Sequence, residues 1–199
     1  APWHVATLVA LTRAGFYDGL VFHRVVPGFV VQGGCPRGDG TGAPDYTLRT
    51  EIGLAWYDAA GYAGIASIEP RTDTEGVQFF FTQAPTPWLD GGYTIFGKIE
   101  SGMDVVDKIR AVKTGTKAFM SDVPVETVEI KSVRRMTADE VAKVKNGTPA
   151  KEATKSGHAA GSAGVSAAQP ATRVASITRS GGDRDARVAF RQVISFARP

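Results

Sequence analysis

Cysteine, histidine and long apolar runs are all scarce in this chain. Cys35 is the only cysteine among 199 residues, so the chain holds no internal disulfide, and cysteine usage leaves the redox compartment undetermined. His4 and His158 have no companions at ligand spacing, which predicts that the protein has no metal site. The sequence also lacks an apolar run of about 18 residues, the length that a membrane-spanning helix needs. We therefore expect no metal and no membrane partner.

Aromatic side chains and acidic charge both become rare towards the C-terminal end. Only Phe190 and Phe196 follow Phe119. Residues 1–136 carry 13 Lys+Arg against 15 Asp+Glu, whereas residues 137–199 carry 10 against 5. We predict one domain over 1–136 and a basic, Ala/Gly/Ser-rich tail over 137–199 that is largely disordered. Because no aromatic interleaving or basic helix accompanies the charge, a nucleic-acid partner is disfavoured.

The tail itself divides into two parts. Residues 147–182 contain almost no large apolar side chains, so burial cannot offset the entropy cost of ordering them. Residues 187–196 have some alternating apolar positions in an Ala/Arg-rich composition. Two interpretations of this last stretch stay open: a short docking segment, or an artefact of where the reading frame ends.

Two short strands joined by a turn stand out in the first quarter of the chain. β-Branched and aromatic residues crowd both sides of Pro27-Gly28, which predicts strands over Leu20–Val26 and Phe29–Gln32. Arg24 and Gln32 are the polar exceptions. A guanidinium and an amide in such a strand pair need solvent or a ligand to satisfy their donors, and this indicates a functional site.

Helical and strand patterns fill most of the remaining domain. Apolar residues at helical spacing predict one helix that begins at Pro2 and stops at Gly15, and another over Met103–Val112. Gly, Pro and Asp dominate Gly33–Pro44, which predicts a long surface loop. Apolar runs between turn residues predict further strands, namely Ala63–Ile68, Val77–Thr82, Tyr93–Ile99 and Val123–Arg134.

Several motifs in this chain match one known family in order and spacing. The first runs F-H-R-V-V-P-G-F-V-V-Q-G-G from Phe22 to Gly34. The others are Gly40-Thr41-Gly42, then G-V-Q-F-F-F-T from Gly76, Trp88-Leu89-Asp90-Gly91 and Phe96-Gly97-Lys98-Ile99. Together they resemble the cyclophilins, the peptidyl-prolyl cis/trans isomerases that bind proline-containing peptides.

The resemblance implies a mainly β fold. Cyclophilins are closed antiparallel β-barrels of eight strands with two capping helices. This chain starts at the first of these helices, so the first two family strands are missing and the barrel is expected to be incomplete at the N-terminus. Missing strands expose sheet edges and interior apolar faces. We therefore expect the chain to be a fragment, or to be less stable than a complete member.

The resemblance also implies roles for the two polar strand residues. Arg24 matches the family's catalytic arginine, which donates to the prolyl nitrogen as amide resonance is lost; taken alone, a strand arginine more often reaches solvent. Gln32 matches the glutamine that orients the substrate carbonyl. Phe29 and Gln32 lie three residues apart, so strict alternation places them on opposite faces, and a bulge is needed to bring them together. His23 is expected to point to the opposite face and to be structural.

Nine further residues match the family's substrate-binding positions. Aromatic strand residues are more often core, and we keep that interpretation for Phe79 and Phe81. Trp88 and Tyr93 match the rim of the proline pocket, where an indole or phenol can donate to a peptide carbonyl. The full set of expected substrate-binding residues is Phe29, Val30, Ile68, Thr74, Gln78, Phe80, Trp88, Leu89 and Tyr93.

One loop departs from the family pattern. Many cyclophilins have M-A-N-A-G in the region where this chain has Ile68-Glu69-Pro70-Arg71-Thr72-Asp73-Thr74, and the loop is expected to be one residue shorter. Pro70 removes an N–H donor from a segment that pairs with substrate in the family. This departure supports an alternative function, a non-catalytic module that binds proline peptides or serves as a scaffold.

The resemblance to an isomerase carries expectations about cofactors and partners as well. The reaction needs no cofactor. The expected partners are proline-containing peptides or unfolded protein clients, with cyclosporin-like cyclic peptides as further ligands, and the protein is expected to be a monomer. The chain does not begin with Met, so the compartment stays unknown; we favour the cytoplasm and keep the periplasm open.

Overall fold

The computed structural model describes residues 1–145 and 193–196, and within them the chain is mainly antiparallel β, as predicted. Three α-helices lie in the described part, one more than the two capping helices that the sequence indicates. The elements in chain order are α1 (Pro2–Arg13), β1 (Arg24–Val26), β2 (Val30–Gly33), β3 (Tyr62–Ile65), β4 (Phe79–Thr82), a 3₁₀ turn (Pro87–Leu89), β5 (Ile95–Ser101), α2 (Met103–Arg110), β6 (Thr114–Lys117), β7 (Met120–Pro124), α3 (Ala138–Lys145) and β8 (Val193–Phe196).

Six of the strands form one sheet in the order β1-β2-β4-β3-β5-β8, and every neighbouring pair is antiparallel. The remaining two strands, β6 and β7, form a separate hairpin. Among the described residues this sheet does not close into the expected barrel. Beyond β1, however, residues 19–22 exchange backbone hydrogen bonds with 128–130, for example from the Phe22 N–H to the Val128 carbonyl at 2.9 Å. Irregular segments therefore extend the sheet past that edge.

One face of the sheet forms the main core. The register aligns Val25, Val31, Phe81 and Ala63 across four neighbouring strands, and none of the four has exposed surface. Directly paired residues project from the same face of a sheet, so these side chains make one continuous apolar layer. Helices α1 and α2 cover this layer with their own apolar stripes, which include Val5, Leu8, Val106 and Ile109.

The predicted central hairpin is present but shorter than expected. β1 covers only Arg24–Val26, while Val21 makes an isolated bridge to Glu129. Phe29 lies in the turn before β2, and the register between the two strands is continuous from Val26–Val30 to Arg24–Gln32. The bulge expected from residue spacing is therefore unnecessary, because Phe29 is not part of the strand alternation.

The predicted strand over Val123–Arg134 is wrong in its extent. β7 runs from Met120 and ends at Pro124, where it pairs with β6 in a hairpin. Pro124 has no N–H to donate, but the Val125 N–H still donates to the Lys113 carbonyl at 2.9 Å. The chain then bends at 125–126, and the pairing with β6 ends there. Further along, residues 128–130 form backbone hydrogen bonds with residues 19–22 instead. The hairpin itself was not predicted, since its turn carries Ala118 at φ 52° rather than a glycine or asparagine.

Two described elements lie in the segment predicted to be a tail. α3 covers Ala138–Lys145, and β8 pairs with β5 in a backbone register that matches Ile194 with Ile99 and Ser195 with Lys98. This pairing favours the docking interpretation of the last segment. The stretch predicted to be disordered, 147–182, lies outside the described residues, and the division at residue 136 stays a prediction. In the part that the structure describes, none of the helices has the length and apolarity to span a bilayer.

Proline substitutions in β8 test whether it holds the edge of β5. Consecutive N–H groups of a strand point to opposite sides, so prolines at both Ile194 and Ser195 remove the one of the two donors that faces β5. The lost hydrogen bond removes about 1 kcal/mol of local stability. The Ile99 N–H donates to the Gly61 carbonyl on the β3 side at 2.7 Å, so the neighbouring Lys98 N–H points towards β8. The Lys98 amide should then exchange with solvent up to about tenfold faster. Alanine at the same two positions is the matched control and should leave the exchange rates close to wild type. Unchanged exchange in the proline variant would contradict the pairing.

Candidate active site

A row of paired residues on the opposite face of the sheet brings the two polar strand residues together. Arg24 on β1 pairs with Gln32 on β2, Gln32 pairs with Phe80 on β4, and Phe80 pairs with Gly64 on β3. Paired residues share a face, so the guanidinium, the amide and the phenyl ring project from the same side. Arg24 and Gln32 are half-buried and remain accessible. We refer to Arg24, Gln32, Phe80 and Gly64 as the site row.

A chain of polar contacts holds the site row against the long glycine-rich loop. Arg24 Nη1 donates to Gln32 Oε1 at 3.4 Å, and Gln32 Nε2 donates to Gln78 Oε1 at 3.4 Å. Gln78 Nε2 donates to the carbonyls of Gly40 and Gly42 at 3.0 and 2.8 Å. The contacts from Arg24 to Gln32 and from Gln32 to Gln78 are both long at 3.4 Å, so ligand groups can compete for them. The arrangement presents cationic N–H donors beside an amide of fixed orientation.

An apolar cluster lies next to the polar chain. Phe80 and Leu89 pack there with Val30 and Tyr57, and all four are buried. The Phe80 ring meets Tyr93 edge-on with 6.1 Å between ring centroids, while Phe29 lies 5.7 Å from the Trp88 ring, which is 66% exposed. The apolar cluster, with its half-buried edge, consists of Val30, Tyr57, Phe80, Leu89, Phe29, Tyr62, Ala66, Tyr93 and Ile95.

Two residues that support the cluster were missed by sequence reasoning. Tyr57 is fully buried, and its backbone N–H donates to Asp90 Oδ1 at 2.6 Å. Burial raises the pKa of its phenol, and the nearby Glu75 charge raises that pKa further. Gln83 Oε1 accepts the Gly28 N–H at 2.8 Å, which fixes the turn before Phe29. The stretch around Tyr57 has no helical or strand periodicity, so the only signal was an aromatic residue in an irregular segment.

Two predicted substrate-binding residues, Ile68 and Thr74, lie in the loop that departs from the family pattern, which we refer to as the substrate loop, and they have different environments. Ile68 is 85% exposed and its side chain lies outside the apolar cluster. Thr74 Oγ1 accepts the Ile68 N–H at 3.2 Å and also contacts the hydroxyls of Ser67 and Thr72 at 2.7 and 2.8 Å. These contacts make Thr74 a support of the loop. Binding roles for Ile68 and Thr74 stay predictions.

The shortened part of this loop is tied to the turn that leads into Tyr93. Arg71 has φ 58°, its backbone N–H donates to the Gly92 carbonyl at 3.1 Å, and its Nε donates to the Gly91 carbonyl. Pro70 lies so close to Gly92 that a Cβ at that glycine would approach the proline Cβ to 3.2 Å. The loop therefore has its own anchor, in spite of the N–H donor that Pro70 lacks.

His23 points away from the site row, as alternation predicts. It is 2% exposed, and burial together with the Arg24 guanidinium lowers its pKa to about 4. The imidazole is therefore neutral near pH 7, and no proton transfer at the site is assigned to it. In residues 1–145 and 193–196, no group of three or more His, Cys, Asp or Glu side chains is arranged to hold a metal ion.

The fold and the site row define a class of protein. Residues 1–135 match the model of the family described as cyclophilin type peptidyl-prolyl cis-trans isomerase/CLD. This match covers more than half of the chain, and the chain belongs to that family.

Several individual relatives are similar to this chain. Peptidyl-prolyl cis-trans isomerase-like 1 of Gibberella zeae is 41% identical over 145 residues, which are 70% of this chain and 85% of the relative. Peptidyl-prolyl cis-trans isomerase B of Bacillus subtilis is 50% identical over 105 residues, 52% of this chain and 72% of the relative. A third relative is a solved structure, the cyclophilin type peptidyl-prolyl cis-trans isomerase of Cryptosporidium parvum in the presence of the dipeptide Ala-Pro. It matches this chain with a TM-score of 0.59 and 31% identity, and the match covers 66% of this chain and 83% of the Cryptosporidium chain.

Gly64 tests the close packing beneath the Phe80 ring. A Cβ at this position would lie 2.4 Å from both Phe80 Cζ and the Tyr57 hydroxyl oxygen. We expect Gly64→Ala to lower the free energy of unfolding by about 1–3 kcal/mol, as overpacking does, when measured by urea denaturation. Gly53→Ala is the matched control, because no atom lies within 4 Å of its added Cβ. Equal stability of the two variants would contradict the described packing.

Proposed function

We propose that this chain catalyses cis/trans isomerisation of X-Pro peptide bonds at the site row and the adjoining apolar cluster. Twisting the amide abolishes its resonance, and the barrier is about 18–20 kcal/mol. No backbone bond breaks, so the reaction requires neither a nucleophile nor a metal. Groups aimed at the twisted amide lower the barrier if they bind it more tightly than the planar one. The observation that carries the proposal is the alignment of Arg24, Gln32 and Phe80 on one face.

Arg24 is proposed to donate to the prolyl nitrogen. That nitrogen regains a localised lone pair only when the amide is twisted, so a donor placed there acts mainly in the transition state. A guanidinium suits this task because it stays protonated at all working pH values. Its contact with Gln32 Oε1 is 3.4 Å long, which leaves it able to turn towards a bound peptide.

Gln32 is proposed to orient the substrate carbonyl. Its Nε2 contacts Gln78 at 3.4 Å, and Gln78 is in turn fixed by two loop carbonyls. A substrate carbonyl that replaces the Gln78 oxygen would take over this donor without other rearrangement. The carbonyl would then stay fixed while the prolyl side of the bond rotates. Gln78 also lines the neighbouring part of the groove in this proposal.

The apolar cluster is proposed to hold the proline ring. Phe80, which pairs with Gln32, and Leu89 belong to this cluster. The exposed ring of Trp88 and the half-buried ring of Tyr93 lie at its edge. The ring of a proline loses water-exposed apolar surface on these side chains, which favours binding. Support for this class of ligand comes from the similar Cryptosporidium structure, determined in the presence of Ala-Pro. Unfolded clients, cyclosporin-like cyclic peptides and a monomeric state are part of the proposal.

The alternative, a non-catalytic module that binds proline peptides, is not favoured. The relatives at 41% and 50% identity are both named isomerases. NMR exchange spectroscopy on an Ala-Pro peptide separates the two functions. An isomerase speeds the exchange between the cis and trans signals, which takes on the order of 10–100 s without a catalyst. A binder shifts the signals and leaves the exchange rate unchanged, and that result would overturn the proposal.

Arg24→Ala tests the assignment of the transition-state donor. The variant should lose about 10²–10³-fold in kcat, the usual effect of removing one donor of this kind, while peptide affinity changes little. The measurement is the exchange rate at saturating Ala-Pro peptide, with affinity from chemical-shift titration. Arg37→Ala, which removes an exposed arginine of the glycine-rich loop, is the control and should retain turnover. Equal losses of affinity and turnover in Arg24→Ala would refute the role.

A further inference from the structure

A buried cluster of ionisable side chains lies outside the site row. His4 on α1 and Glu75, just before β4, have no exposed surface. The imidazole lies between two carboxylates: Nδ1 is 2.6 Å from Glu51 Oε2, and Nε2 is 2.9 Å from Glu75 Oε2. The first contact is an aligned hydrogen bond, and the second has the distance of an ion pair without good alignment. We refer to His4, Glu51 and Glu75 as the acidic-histidine triad.

The triad favours a charged imidazole. Burial alone lowers the pKa of His4, but its contacts with Glu75 and Glu51 outweigh burial, so the pKa is raised above 6.5. Burial alone raises the pKa of Glu51, and the donors of His4 and Trp3 outweigh it, so that pKa falls below 4.5. A neutral imidazole has one N–H and can satisfy one of two facing carboxylates. The doubly protonated form is hydrogen-bonded to Glu51 and ion-paired with Glu75.

The triad joins α1 to both flanks of the apolar cluster. Glu75 accepts the backbone N–H of Thr94 at 2.9 Å and its hydroxyl at 2.5 Å. The Glu51 N–H donates to the same hydroxyl at 2.7 Å. Thr74, which supports the substrate loop, directly precedes Glu75, and Tyr93 at the edge of the apolar cluster directly precedes Thr94. A change in the triad therefore acts one residue away from two groups that border the proposed peptide site.

The charges on the neighbouring elements have other contacts. On β5, Lys98 lies 4.7 Å over the Tyr62 ring and Glu100 is exposed. In the substrate loop, Asp73 Oδ1 accepts the Thr50 N–H at 2.9 Å. The Tyr57 phenol experiences the Glu75 charge and is itself held neutral by burial. Within the described part of the chain, the ionisable groups that act on the His4 imidazole are Glu51 and Glu75.

We propose that His4 is a positioning residue for the isomerase, which holds Glu75 and Thr94 so that the flanks of the proline site keep their binding geometry. Peptide affinity then depends on whether His4 is protonated, whereas the catalytic Arg24 and Gln32 are unaffected. This inference rests on the proposed isomerase function, and it adds a residue that touches neither the substrate nor the reacting bond. Its effect should appear in KM and not in kcat.

The pH dependence has a definite sign. The folded pKa of His4 is raised, so its contribution is complete below pH 6.5 and is lost as pH rises through the folded pKa. The folded pKa of Glu51 is lowered, so its contribution is complete above pH 4.5 and is lost as pH falls through the folded value. The triad is therefore intact between these limits and loosens on the alkaline side, where His4 becomes neutral.

The first experiment follows His4 and peptide binding together. NMR titration of the imidazole protons, assigned through His4→Gln, should give a pKa above 6.5 for His4. The wild-type KM for an Ala-Pro peptide should rise about fivefold or more across that titration with kcat constant. His4→Gln should show the raised KM at every pH, and His158→Gln, the control, should keep the wild-type profile. A wild-type KM that does not change across the His4 titration would overturn the proposal.

A second variant separates positioning from simple loss of stability. His4→Gln leaves the buried Glu75 carboxylate without its cation and should lower the melting temperature. The double variant His4→Gln/Glu75→Gln replaces the charges with amides, and it should regain melting temperature while its KM stays independent of pH. If the variants change melting temperature alone and keep the wild-type KM and pH profile, the triad is merely structural and the proposal fails.

The readouts also distinguish this inference from the proposed function. If the wild-type chain does not speed X-Pro exchange at all, the isomerase proposal fails. The peptide dissociation constant from chemical-shift titration then replaces KM, and the same rise across the His4 titration is expected. If the wild type is active but its peptide affinity does not change across the His4 titration, only the positioning role of His4 is overturned.

Discussion

The strand register of β1, β2, β4 and β3 is the constraint on which the rest of the structure depends. One row of paired residues, Val25 to Ala63, is fully buried and forms the core layer. The next row along the same strands is the site row, which points the other way. Because side chains alternate, a slip of one residue would exchange the two rows and bury the Arg24 guanidinium. The burial that stabilises the sheet therefore also fixes the orientation of the proposed catalytic residues Arg24 and Gln32.

Glycine has a specific use in this arrangement. Gly64 ends the site row without a side chain, and the space it leaves is filled by the Phe80 ring and the Tyr57 hydroxyl. Gly28, at φ 77°, allows the tight turn that sets the β1–β2 register, and Gln83 secures it through the Gly28 N–H. An apolar surface beside two half-buried polar groups results. These features suit a reaction in which a peptide is bound and its X-Pro amide bond rotates without any covalent bond being broken.

The sequence predicted most of the regular elements and, through the family resemblance, the polar pair of the site. The core roles of Phe79 and Phe81 are confirmed by their burial, and strands β2 to β5 lie within a few residues of their predicted positions. Turn dipeptides and runs of β-branched and aromatic residues are local signals, so they can be recognised in one chain. The predicted Val123–Arg134 strand was wrong in its extent because the chain bends at 125–126, and residues 128–130 then bond to 19–22 instead.

Long-range contacts could not be predicted in the same way. Tyr57 enters the apolar cluster from an irregular stretch, and its hydrogen bonds with Asp90 and Tyr93 span 33 and 36 positions. His4 looked like a lone histidine on an apolar helix, yet its two acidic partners lie in separate loops that reach it only in the folded state. No spacing rule connects three such positions, because tertiary packing alone brings them together.

The most direct test of the central claim is to locate a bound peptide by NMR. With isotope-labelled protein and an Ala-Pro peptide, nuclear Overhauser contacts from the proline ring protons should reach Phe80 and Leu89, and the Arg24 side-chain N–H signals should shift on binding. Contacts to residues on the opposite face, or an Arg24 signal that does not respond while the peptide binds, would contradict the account.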